Sequence, residues 1–211
     1  MPRVCAGPLD EDLAGWLSDK IGDKFGRSEA TAFVSGDGIG KPRGFLSYTT
    51  AATSDVSRTW GVLEHVASGA SGAFASTNPG DKVIDLVFAL RAGYRSGATW
   101  LMNSKTIAAI RKLKDGQGNY LWQQSVIANQ PDLLLGYPVM AAEDMPDIAA
   151  NSLSIAFGNF QRGYTVIDRH PMRMLRDPYT AKPFVVFYAY RRVGGDVMNF
   201  ECIKLLKFAT S

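Results

Sequence analysis

The segment Gly36-Asp37-Gly38-Ile39-Gly40-Lys41 puts glycine amides next to a lysine, the residue types that can wrap a phosphate. Its spacing argues against that chemistry. A phosphate loop needs glycine, four residues, then Gly-Lys-Ser/Thr, but here the first position is Ser35 and Lys41 is followed by Pro42, which has no hydroxyl for a metal ion. The segment also follows a helical pattern where a phosphate loop would follow a strand, so the turn reads as structural. General-base chemistry has few candidates: the two histidines, His65 and His170, lie near no Gly-x-Ser-x-Gly or His-Glu-x-x-His pattern. Glu143 and Asp144 are neighbours, and adjacent residues of an extended segment point to opposite faces, so they do not form an acid/base dyad. Cys5 and Cys202 have neither the spacing of a metal knuckle nor that of a disulfide framework.

The chain has 211 residues, 46% of them hydrophobic, enough for a substantial core. Its 23 basic and 20 acidic residues give a net charge of +3, and the basic residues are scattered in twos and threes. Sequence-specific DNA binding, which needs a clustered basic stripe, is not expected. No apolar run approaches the length of a membrane span, and Met-Pro-Arg-Val at the start lacks the apolar core of a secretory signal. The expected compartment is reducing and cytoplasmic.

Leu13, Trp16, Leu17, Ile21 and Phe25 recur at helical spacing, predicting one long helix over 10–33, with Asp10, Glu11 and Asp12 at its positive end. Gly15, Gly22 and Gly26 each cost that helix about 1 kcal/mol relative to alanine, so it should depend on packing against a sheet or another subunit. Residues 47–80 read as surface loop apart from a strand at 61–67. Asn78-Pro79-Gly80-Asp81 caps a helix over 81–95, and Asn103-Ser104 caps another to about 114, ended by the Gly-rich run 115–119. Strands are expected at 98–102, 133–135, 137–141, 153–157, 163–168, 172–175, 184–193 and 197–207. Gly194-Gly195-Asp196 signals a hairpin between the last two, and the apolar run Phe184–Tyr190 should be covered on both faces. Most aromatics fall in runs expected to be buried, where core packing explains them better than base stacking; Phe160-Gln161-Arg162-Gly163-Tyr164 reads as an exposed turn. Helices first and strands later indicate an α+β fold.

Several of these runs, in order along nearly the whole chain, resemble the major capsid proteins of tailed phages with the Hong Kong 97-like fold. They include Trp16-Leu17-Ser18-Asp19, Phe33-Val34-Ser35-Gly36-Asp37-Gly38, Gly40-Lys41-Pro42-Arg43-Gly44-Phe45-Leu46, Trp100-Leu101-Met102-Asn103 and Asp115-Gly116-Gln117-Gly118-Asn119-Tyr120-Leu121-Trp122. Gly136-Tyr137-Pro138-Val139, Glu143-Asp144-Met145-Pro146, Ala156-Phe157-Gly158-Asn159-Phe160 and Arg176-Asp177-Pro178-Tyr179 continue the match. The wording is closest to the prophage and gene-transfer-agent branch.

The resemblance implies a non-enzymatic shell subunit with a spine helix, a β ribbon and an axial domain whose central sheet is flanked by helices. Residues 9–35 and 165–195 would form the peripheral domain, 36–164 and 196–211 the axial one. Partners would be copies of itself in pentamers and hexamers, other phage head proteins and packaged DNA bound without sequence preference, with no cofactor. The virion shell would be the destination. Trp16, Phe25, Trp122, Phe160, Arg162 and Tyr164 are the expected subunit contacts, with loops 115–124 and 158–163 exposed around the axis. Family members carry an N-terminal arm and an extended loop before the spine, and this sequence starts almost at the spine, so a shortened form is expected. The lysine-bearing loop of the type member's isopeptide cross-link is not expected either. Two alternatives are an encapsulin-like nanocompartment shell and an unrelated small-molecule-binding or hydrolytic α+β domain, the latter requiring a deep pocket with His65 or His170 beside a carboxylate.

Overall fold

In a computed structural model, residues 9–114, 118–120, 122, 132–182 and 184–210 are described. Helix α1 runs over Leu9–Ser35, two residues beyond the expected end, because Gly36 still donates to the Ala32 carbonyl at 2.9 Å. Ala32 and Val34 are buried at its C-terminal end, whereas no side chain from Gly15 to Ser28 is buried. The expected dependence on packing therefore falls on the first two thirds of the helix.

A seven-stranded mixed sheet forms the body of the molecule. Its strands are β1 (Thr50–Ala51), β2 (Leu63–Ala67), β3 (Thr99–Met102), β4 (Leu133–Leu134), β5 (Tyr137–Ala141), β6 (Leu153–Gly158) and, from the C-terminal end of the chain, β9 (Ile203–Lys207). The spatial order is β1-β2-β9-β6-β3-β5-β4, with β2 and β9 parallel and β6 antiparallel to β9. Both faces are covered, so β6 and β9 read as nearly continuous apolar runs. On one face Leu86 and Leu90 pack with Ile110, Trp100, Phe157 and Phe208; on the other Phe45, Leu63, Met145, Phe200 and Leu205 close a second core.

The first core is roofed by α2 (Asp81–Ala89), the short α3 (Ala92–Arg95) and α4 (Ser104–Arg111). The single helix expected over 81–95 is thus two, because Leu90 turns extended (φ −79°, ψ 127°) and buries completely. The Asn78 side chain is not the α2 cap; Gly80 takes that position, while the Asn78 carbonyl accepts from Asp81 N at 3.1 Å. Asn103 does cap α4, accepting from Lys105 N at 2.9 Å, and α4 ends at Arg111 instead of 114. The expected stop at 115–119 lies partly outside the described residues.

After a one-turn α5 (Phe160–Gly163), β7 (Tyr164–Asp177) and β8 (Val186–Val197) form a separate two-stranded antiparallel ribbon. This corrects the expected hairpin of 184–193 with 197–207. Val197 lies opposite Tyr164 and Val186 opposite Asp177, so the tip is at 178–185, and β9 leaves to pair with β2 and β6. The two strands expected at 163–168 and 172–175 are one, with register shifts around His170 that accommodate Pro171. Phe184–Tyr190 is not covered on both faces either: Phe184 is 73% and Tyr188 61% exposed within this chain. Reading the rest of 47–80 as plain surface loop also fails, since the Asp55 and Arg58 side chains are only 4% exposed.

Candidate assembly surfaces

The Gly36–Gly44 loop is the joint between α1, the sheet and the ribbon. It folds back so closely that a Cβ on Gly36 would lie 2.1 Å from the Pro42 carbonyl oxygen, and one on Gly44 2.4 Å from the Val34 carbonyl. The loop closes through Gly44 N to Gly36 O at 2.9 Å, and Arg43 N donates to Gly195 O, also at 2.9 Å. Gly195 is required at that crossing, because a Cβ there would meet the Tyr164 hydroxyl at 2.6 Å. The Gly-Gly-Asp signal thus marks a close crossing of chains inside β8.

Tyr164 donates to the Arg43 carbonyl at 2.8 Å and stands edge-on to Phe33, with ring centroids 5.8 Å apart. Tyr48 bonds Asp196 beneath the Arg43 guanidinium, which lies 3.8 Å from the Tyr48 ring centre. Burial, then the Asp196 carboxylate, push the Tyr48 phenol up to about 12, and burial raises Tyr164 as well. Both therefore remain hydrogen-bond donors at neutral pH. The supposed phosphate cradle carries its own carboxylate: Asp37 accepts from Ile39 N at 3.0 Å, which holds its carboxyl below the ordinary range, and lies 3.4 Å from Lys41 Nζ.

Of the expected contact residues, Trp16 is 56% exposed on α1 and Arg162 is exposed on α5. Phe25 is half-buried and lines a hollow of about 610 Å³ between α1 and the ribbon, where Glu29 pairs with Arg191 at 3.1 Å. Phe160 and Tyr164 are half-buried, Phe160 against Phe45 with centroids 5.7 Å apart. The expected exposed turn at 160–164 is therefore exposed at Gln161 and Arg162 and packed at its ends. Trp122 corrects the reading of 115–124 as an exposed loop. It is 9% exposed, donates to the Leu133 carbonyl at 2.8 Å and lies beneath the Arg111 guanidinium. Most of the rest of that loop, and Leu121, lies outside the described residues.

The sequence reading missed a buried ion cluster on the edge of the sheet away from α4. Lys204 on β9 is fully buried; its ammonium holds Glu64 of β2 at 2.6 Å and Asp55 of the β1–β2 loop. Arg58 lies 2.6 Å from Asp55 and donates to the Phe200 carbonyl at 3.2 Å, and Arg91 links Asp55 at 3.7 Å to Glu201 at 3.3 Å. The one available signal was Lys204 amid the apolar run Ile203–Leu206.

Neither histidine has a catalytic setting. His65 is buried, its pKa lowered by burial and by Lys207, and His170 lies on the ribbon opposite Arg192. Glu143 instead accepts from Ser104, and Asp144 from Thr31 at 2.5 Å.

Residues 10–208 match the profile of the Phage capsid family. Among solved structures, the capsid of an empty GTA (gene transfer agent) particle is 56% identical with a TM-score of 0.87, over 94% of this chain and 67% of that one. The capsid of the native GTA particle gives the same identity and TM-score over 94% and 66%. A structure of Gordonia phage Cozz matches at 9% identity and a TM-score of 0.55, over 94% of this chain and 64% of that one, a likeness of fold alone. This chain spans about two thirds of the length of those chains. No curated protein matches. With the helix, ribbon and sheet of the Hong Kong 97-like arrangement and a match over almost its full length, the chain belongs to the phage capsid family, a structural head-shell protein and not an enzyme.

Proposed function

We propose that this chain is a wall subunit whose copies associate into rings of five and six, and these into an icosahedral container for DNA of a phage or gene transfer agent. The observation that carries the reading is the 56% identity over 94% of the chain to capsids of GTA particles. The same identity favours a DNA-carrying head over an enzyme-filled nanocompartment. The exposed surface agrees with it: Ile167, Leu175, Phe184 and Tyr188 on the ribbon are each more than 60% exposed, an apolar load that an isolated subunit leaves in water.

In this reading α1 and the ribbon, 9–35 and 165–195, form the peripheral unit, and 36–164 with 196–211 the axial one. Trp16 and Arg162 meet neighbouring copies directly, while Phe25, Phe160 and Tyr164 shape the surface those copies meet. Trp122 acts indirectly, by fixing the strand and turn beside it. DNA is held by shape-blind, salt-sensitive attraction, other head proteins complete the particle, and assembly takes place in the host cytoplasm.

Closed shells form through heterologous contacts that are individually weak and collectively strong. Light scattering and negative-stain microscopy of the purified chain across a salt series should show rings or shells above a threshold concentration. A chain that stays monomeric under all those conditions contradicts the reading.

A further inference from the structure

Among the described residues, both edges of the central sheet are blunt. β1 and β4 have two residues each, too short to template strand addition by a neighbour. Lateral contact at these edges therefore has to come from side chains beyond them, and the two edges differ in a complementary way.

Beside β1, the loop that carries Asp55 and Arg58 is fastened to the interior by the buried Lys204 cluster. Two of its large apolar side chains nevertheless face water: Val56 is 89% and Trp60 67% exposed, with Trp60 propped edge-on against Phe200 at 5.2 Å. A loop held this firmly presents a knob whose ordering cost is met before any partner arrives. At the opposite edge, α2, α4, the β4–β5 turn and the buried Trp122 wall an apolar hollow of about 150 Å³, with Ile84, Leu113 and Leu135 among its other lining residues. An apolar cavity of about that volume admits a six-membered ring. Leu135 stands at the hollow 48% exposed with φ at +52°, a left-handed backbone conformation uncommon for a non-glycine residue.

Each feature has one exposed charge that can meet the other. Arg91, 49% exposed and shared between Asp55 and Glu201, lies beside the knob. Asp81 is exposed next to Gly80 at the hollow, ahead of the Lys82–Asp85 pair. Six strand spacings separate the edges by roughly 30 Å, so one copy can give a knob on one side and receive one on the other.

We propose that the six-membered ring of the Trp60 indole of one copy seats in the hollow beside Ile84 and Leu135 of the next copy, with Val56 against the rim of the hollow and Arg91 facing Asp81. This head-to-tail contact rests on the shell reading above and supplies the rotation that closes a ring. Trp60 is the anchor and the charged pair is its rim.

Disulfide trapping tests the contact. In a Cys5→Ser chain carrying both Val56→Cys and Leu135→Cys, oxidation under assembling conditions should give a covalent ladder ending at five or six chains, and neither single variant should give one. Trp60→Ser should raise the concentration for half-assembly roughly tenfold or more, as loss of an anchor of this kind does, with only a small fall in the subunit's melting temperature from the lost contact with Phe200. Efficient dimers from Val56→Cys alone would overturn the proposal in favour of a symmetric contact. An absent ladder while rings or shells are visible by microscopy would overturn it and leave the shell reading standing. Failure of the parent chain to assemble at any salt concentration would overturn both.

Discussion

Replacing Lys204 by alanine should remove about 3–5 kcal/mol of stability, the usual result of deleting one partner from a buried ion pair. The Lys204 side chain is fully buried, with Glu64 at 2.6 Å and Asp55 in contact, and those carboxylates are themselves only 10% and 4% exposed. Without the ammonium, Arg58 and the half-exposed Arg91 are left to balance Asp55, Glu64 and Glu201. Lys204→Met keeps much of the volume and should be almost as damaging, which separates the charge effect from a cavity effect. Converting Lys204 and Glu64 together to apolar residues, which leaves Asp55 to pair with the buried Arg58, should recover part of the loss, because the desolvation cost of that pair then disappears along with its attraction. Denaturant midpoints at constant slope give the answer. A loss below about 1 kcal/mol for both single variants would mean that the cluster behaves as a solvated surface group.

Gly44→Ala is the second large effect. Gly44 has φ of −74° and ψ of 148°, a conformation open to any residue, so the demand for glycine is purely steric. An added Cβ would lie 2.4 Å from the Val34 carbonyl and 2.5 Å from Ser35 N, all backbone atoms that no side-chain rotation can clear. The loop has to leave the end of α1, and the hydrogen bonds from Arg43 to Gly195 and from Tyr164 to Arg43 are strained with it. We expect a loss of about 3 kcal/mol, at the upper end of overpacking effects, with the ribbon loosened from the sheet. Gly40→Ala is the control. Its φ of +67° costs an alanine about 1–2 kcal/mol, but nothing lies near the added carbon. Equal melting temperatures for the two variants would mean that the joint is not sterically closed.

What the sequence disclosed follows the range of the interactions involved. The long helix, the α4 cap at Asn103 and the apolar strand β6 rest on local periodicity and capping, and they lie where the pattern puts them. The strand expected over 197–207, by contrast, is β9 only from Ile203, since Val197 ends β8. The ribbon was misread because Gly194-Gly195-Asp196 carries a local turn signal, whereas the need for Gly195 comes from Tyr164, 31 positions away in sequence. Asp55 looked like a loop residue because its partner Lys204 is 149 positions distant and reaches it only through the β2–β9 pairing, and Arg58 because the carbonyl it donates to, that of Phe200, is 142 positions away. Trp122 looked exposed in a polar stretch, and its cover comes from Arg111 and the Leu133 carbonyl. For the assembly surfaces, exposed residues such as Trp16 and Arg162 could be proposed from pattern and resemblance. The knob and hollow could not, since they depend on strand order.

Hydrogen exchange along α1 tests the central claim, that this spine lacks enough cover within its own chain and acquires it from neighbouring copies. No side chain between Gly15 and Ser28 is buried in the subunit, while Ala32 and Val34 are. In the unassembled chain the amides of 15–28 should exchange quickly through local opening, and those of 32–35 slowly. On assembly, 15–28 should slow by roughly tenfold or more as partners cover the stripe. Amides of 15–28 already as slow in the monomer as in the particle would contradict the account.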